Sequence, residues 1–140
     1  MRDVATEIGR DKVAQVVARF YAAIRVHPTL SEPFARVHDW PAHEAVLTHF
    51  WWVTLGGERY LDYRYRVAER HMASGFTPAL LDQWLTLFAA TIQVALPDDL
   101  AEAWLARARN IGQSLRLMHE FSQSEALADH QEVTTPAHHP

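Results

Sequence analysis

The chain has 140 residues and a mass of 16.0 kDa, the span of one domain that can bury a substantial core without a disulfide or a structural metal. It contains no cysteine, which excludes thiolate metal sites, iron–sulfur clusters and any disulfide framework, so histidine, tyrosine or methionine must carry any metal. A formal net charge of −4 without a long basic run argues against a nucleic-acid footprint; the absence of a signal-peptide core and of about 18 consecutive apolar residues leads us to expect a cytoplasmic protein with no membrane partner.

Glycine and proline are sparse, at 5 and 7 residues, and Ala, Leu, Arg, Glu and Gln recur, so the fold class is all-α, with long helices broken at a few sites. From Asp11 to Val26 the residues Val13, Val16, Val17, Phe20, Tyr21 and Ile24 mark one helix face. His27-Pro28 ends that helix, because the residue before proline resists the α region.

Ser31 to Val37 suits one short helix around Pro33 and Phe34. A third helix starts near Asp39-Trp40-Pro41, with Asp39 as cap, and stops at Gly56-Gly57. Trp40, His43, Leu47, Phe50, Trp51 and Thr54 share one side of it, so His43 faces inward. Glu58 to Met72 is polar and rich in tyrosine, and reads as a loop followed by a short helix holding His71.

Thr77-Pro78 is a cap followed by proline at the first helical position, and Leu81, Trp84, Leu85, Phe88 and Ile92 form the buried stripe of a helix that reaches Leu96 and stops at Pro97. The last helix is predicted from about Asp98 to about Leu127, with Leu100, Trp104, Ala108, Ile111, Leu115 and Met118 on one face and Asp98 and Asp99 favourable to its dipole. The expected organisation is therefore one domain over 1–127 and a disordered tail over 128–140.

Several chemistries are set aside by spacing. His43-Glu44 resembles the start of a metalloprotease helix, but the next histidine, His49, is six residues on rather than four. No Glu is followed three residues later by His, as a di-iron bundle requires, and there is no nucleophile elbow or phosphate loop. His27, His38, His119, His130, His138 and His139 read as solvated.

Tyr21 and Trp84 put polar atoms on apolar stripes. A buried hydroxyl left unsatisfied costs about 1–3 kcal/mol, so each donor either reaches a carbonyl or the core edge, or converges with the other on a ligand held in a cavity. His71, at the edge of an apolar and aromatic region, is either a surface or capping residue or a ligand of the kind an iron porphyrin takes from protein. With His43 on the preceding long helix, the two histidines suit the two sides of a haem pocket.

The ordered series Phe20-Tyr21, Pro33-Phe34, His43 to Trp51 (His-Glu-Ala-Val-Leu-Thr-His-Phe-Trp), His71, and Trp84-Leu85-Thr86-Leu87-Phe88 resembles the truncated haemoglobins, most of all their third group, over about residues 11 to 120. The resemblance implies a truncated globin fold, a two-over-two helical sandwich around haem b. It implies His71 as the proximal iron ligand, His43 at the distal position and as a candidate sixth ligand, and Tyr21, Trp84 and His43 as groups that stabilise a distal ligand. Phe34, Leu47, Phe50, Trp84, Phe88, Tyr63 and Arg70 would contact the cofactor, Arg64 and Arg66 being further candidates for its propionates. The third group lacks the glycine pairs of the other two; Gly56-Gly57 is taken as a helix stop.

The implied activity is reversible binding of dioxygen, nitric oxide and carbon monoxide with slow oxygen release, and redox chemistry such as nitric oxide dioxygenation or peroxide activation with an electron-donating reductase. Two other readings stay open, a haem-based gas sensor or transfer protein acting through a partner, and a cofactor-free helical binding module.

Overall fold

The computed structural model describes residues 3–62 and 76–134, with side chains to residue 123. The chain enters through a short helix, α1 (Val4–Ile8), which the sequence reading does not anticipate. Asp3 caps it, its carboxylate accepting from the Thr6 amide at 3.2 Å and the Thr6 hydroxyl at 2.7 Å. Val4, Ala5 and Ile8 are buried, and the Ala5 amide donates to the Leu55 carbonyl, which fastens α1 to the end of a later helix.

Gly9, at φ 89°, turns the chain into α2 (Arg10–Arg25). The stripe read from the sequence, Val13, Val16, Val17, Phe20, Tyr21 and Ile24, is buried in full. At its end His27 is partly buried rather than solvated, because its Nδ1 accepts the amides of Thr29 and Leu30 in the turn that follows. That turn leads into a 3-10 helix (Glu32–Phe34), shorter than the expected element.

Helix α3 (Trp40–Thr54) begins where expected, with Asp39 accepting from the Ala42 amide and Pro41 in the first turn. It ends at Leu55, where Gly56 takes φ 108°. Gly57 is required for a second reason: a Cβ there would run into the Trp52 indole, whose Nε1 donates to the Glu58 carbonyl at 2.9 Å.

Thr77 caps α4 (Pro78–Ala95) through the Leu80 amide. Helix α5 (Asp98–Thr134) then runs to the end of the described chain, so residues 128–134, expected to be tail, continue the helix. The described residues contain helices and no strand. Helix α2 packs on α3, α4 packs on α5, and α2 crosses against α4, which stacks one helix pair on the other in the two-over-two arrangement of a truncated globin.

Phe88 is where the four long helices meet. Its fully buried ring contacts Phe20 of α2 at 4.8 Å, Trp51 of α3 at 5.3 Å, Trp84 of its own helix at 4.7 Å and Trp104 of α5 at 5.7 Å. Edge-to-face and offset ring pairs of this kind add about 0.5–1.5 kcal/mol each beyond their buried area. Gly112 lets α5 approach α4, since a Cβ there would lie 3.1 Å from the Leu85 side chain. Met118, assigned from the sequence to the buried face of α5, is 44% exposed. At that level the residues of α5 that meet the start of α4 are Leu115, Arg116 and His119.

Candidate functional site

Helices α2 and α3 bring together two of the three residues expected on the distal side, Tyr21 and His43. Tyr21 is 4% exposed, and its ring meets the His43 imidazole edge to face, with centroids 5.8 Å apart and planes at 85°. Phe34, carried in by the 3-10 turn, lies 5.5 Å from Tyr21 and 6.3 Å from His43. Trp40, in the first turn of α3, lies 5.8 Å from Tyr21 and 5.4 Å from His43. A phenol and an imidazole therefore stand side by side among aromatic rings.

Trp84 is buried and lies on the other side of Phe20 from Tyr21: the Phe20 ring is 5.0 Å from each of them. Leu47 is buried one turn after His43, and Phe50 is partly buried a further turn along. Phe88 sits deeper, at the core junction described above. Phe76, just before α4, is buried and its ring is 6.0 Å from Phe34, so aromatic packing continues from the Tyr21 cluster toward the start of α4. The sequence reading does not single out Phe76; an aromatic immediately before a Thr-Pro cap is the signal that could have marked it.

Among the described residues no group of three or more His, Asp or Glu side chains is placed to hold a metal ion. What the pocket offers is an imidazole set among rings, with a phenol beside it. Such a donor set is too small to hold a bare cation but suits a metal that brings most of its ligands with it in a flat apolar group. His71, Tyr63, Arg64, Arg66 and Arg70 lie outside the described residues.

His49 has a role that the sequence does not show. It is 3% exposed, and its Nε2 accepts the amides of Tyr60 and Leu61, each at 3.2 Å. Both bonds require a bare Nε2, which assigns the proton of the neutral ring to Nδ1. Tyr60 packs edge-on against the imidazole at 4.7 Å, and the Arg10 guanidinium lies 3.6 Å from the Tyr60 ring centre. Burial lowers the His49 pKa below its ordinary value, and the charges of Arg59 and Arg10 lower it further. A histidine six residues from His43 points away from the distal cluster, and here it fastens the chain after α3.

No protein-family model and no curated protein matches this sequence. Among solved structures, the crystal structure of the group III truncated hemoglobin from Campylobacter jejuni is similar, with a TM-score of 0.72 and 25% sequence identity over 79% of this chain and 91% of that one. The overall fold thus recurs in a solved protein of the group that the sequence resembles.

Proposed function

We propose that this chain, which has the truncated globin fold and resembles the group III truncated haemoglobins, is a haem protein that binds diatomic gases. The observation that carries the reading is the placement of Tyr21 and His43, buried and partly buried, in contact on facing helices inside an aromatic wall.

His71 would hold the iron of haem b, and Phe34, Leu47, Phe50, Trp84 and Phe88 would supply the apolar surface around the porphyrin. Tyr63 and Arg70, close to His71 in sequence, suit the propionates. When bound, the haem supplies reversible binding of dioxygen, nitric oxide or carbon monoxide and one-electron chemistry. The Tyr21 hydroxyl and the Trp84 indole would donate hydrogen bonds toward a bound ligand. The His43 imidazole would either serve as a further ligand to the iron or turn toward solvent. Each good donor contributes about 1–2 kcal/mol, which slows release roughly ten-fold. Slow release of oxygen favours chemistry on the retained gas, such as oxidation of nitric oxide to nitrate or activation of peroxide with electrons from a reductase, over delivery.

The test is a spectrum. The purified protein should show an intense porphyrin band near the blue edge of the visible range that shifts with carbon monoxide after reduction. A colourless protein that gains no such band with added haemin sinks the reading.

A further inference from the structure

Outside the Tyr21–His43 cluster, three groups are stacked from solvent inward. The Arg25 guanidinium, on a side chain 43% exposed at the end of α2, lies 4.5 Å from the centre of the half-buried Trp40 ring. Beneath it, the Trp40 ring meets both His43 and Tyr21. The same guanidinium donates to the Glu44 carboxylate at 2.8 Å, and Glu44, with 19% of its side chain exposed, directly follows His43. Trp40 and Glu44 are four residues apart on α3, so they occupy one face and a single arginine from α2 engages both.

The geometry points to a latch: Arg25 and Glu44, acting through Trp40, hold His43 in place and set the rate at which small ligands pass between the distal pocket and solvent. The inference rests on the reading of His43 as the distal histidine. If passage needs the imidazole to swing outward, Trp40 must yield, because its ring is packed against the imidazole. Trp40 yields only when the guanidinium leaves its face. That movement is resisted twice, by the cation–π contact and by the charge-assisted bond to Glu44, and a planar guanidinium suits both at once. Arg25, Trp40 and Glu44 are thus positioning residues. A gate on the route changes entry and escape by the same factor and leaves affinity alone, whereas a lost hydrogen bond to the ligand speeds escape only.

The experiment measures carbon monoxide association and dissociation on the reduced holoprotein. Glu44→Gln and Arg25→Gln should each raise both rates by about two- to five-fold with the ratio unchanged, the range expected for breaking a partly exposed ion pair. The wild-type rates should rise with salt, as the ion pair is screened, and the variant rates should not. The charge-reversed double variant R25E/E44R should recover slow binding through the ion pair. Glu102→Gln, which breaks the remote Arg109–Glu102 pair, is the control and should change nothing. In parallel, the indole N–H resonance of Trp40, assigned with Trp40→Phe, should shift in Glu44→Gln. Unchanged rates in both single variants, or a change in dissociation alone, overturn the latch. A protein that takes up no haem overturns the function proposed above instead, while the Trp40 resonance still reports whether Glu44 controls that ring.

Discussion

Tyr21 of α2 and His43 of α3 meet edge to face at 5.8 Å, and this one contact joins the two helices at the point where both carry a polar group into the apolar interior. Its consequence is a phenol and an imidazole held together within one aromatic cluster.

Tyr21→Phe keeps the ring and removes the hydroxyl. Oxygen dissociation, followed by stopped flow with excess carbon monoxide, should become about ten-fold faster, the worth of one good hydrogen bond. An unchanged rate would assign retention to Trp84 or His43.

His71→Ala should abolish stable axial ligation, visible as a weakened and shifted porphyrin band and loss of haem on a desalting column. If a histidine-ligated spectrum persists and disappears only when His43 is also replaced, the two sides of the pocket have been assigned in reverse.

Phe88→Ala removes the ring that touches α2, α3 and α5 together. Denaturant unfolding should show a loss of about 3–5 kcal/mol, the usual cost of an aromatic-sized cavity in a core. A loss below about 1 kcal/mol would mean that the surrounding tryptophans collapse into the space.

His49 gives stability a pH dependence with a definite sign. Its folded pKa lies below the ordinary value of 6.5, so the unfolded chain takes up this proton first as the pH falls. The contribution is fully present above about pH 6.5 and declines from there down through the lowered folded pKa, as protonation removes the acceptor for Tyr60 and Leu61. Denaturant midpoints of wild type and His49→Phe should converge as the pH is lowered from about 7 to about 5. Parallel curves would show that His49 is not linked to folding.

Gly57→Ala should destabilise the end of α3 by about 1–3 kcal/mol, because the new methyl group cannot coexist with Trp52 as packed. A thermal midpoint equal to that of the wild type would mean that the Trp52 indole moves aside freely.

The helices that carry the pocket were readable because their signals are local. The buried stripe of α2, the Asp39 cap of α3 and the Thr77-Pro78 start of α4 each depend on periodicity or on a cap within three residues. Helix α1 was missed because five residues are too few for a periodic stripe, although Asp3 and Thr6 form its cap. Met118 was misplaced because the side of α5 that meets the start of α4 carries Leu115, Arg116 and His119, which leaves Met118 off that side. The continuation of α5 to Thr134 was missed because a polar segment has no stripe to read.

Alone, the order of residues determined an all-helical chain and the inward direction of Tyr21, His43 and Trp84, since side-chain direction along a helix follows from its 3.6-residue period. The tertiary structure decided what those side chains meet: Tyr21 beside His43, Phe20 between Tyr21 and Trp84, Arg25 over Trp40, and His49 beneath the turn at Tyr60. Such contacts join residues far apart in sequence, and no local periodicity carries the crossing of two helices that makes them.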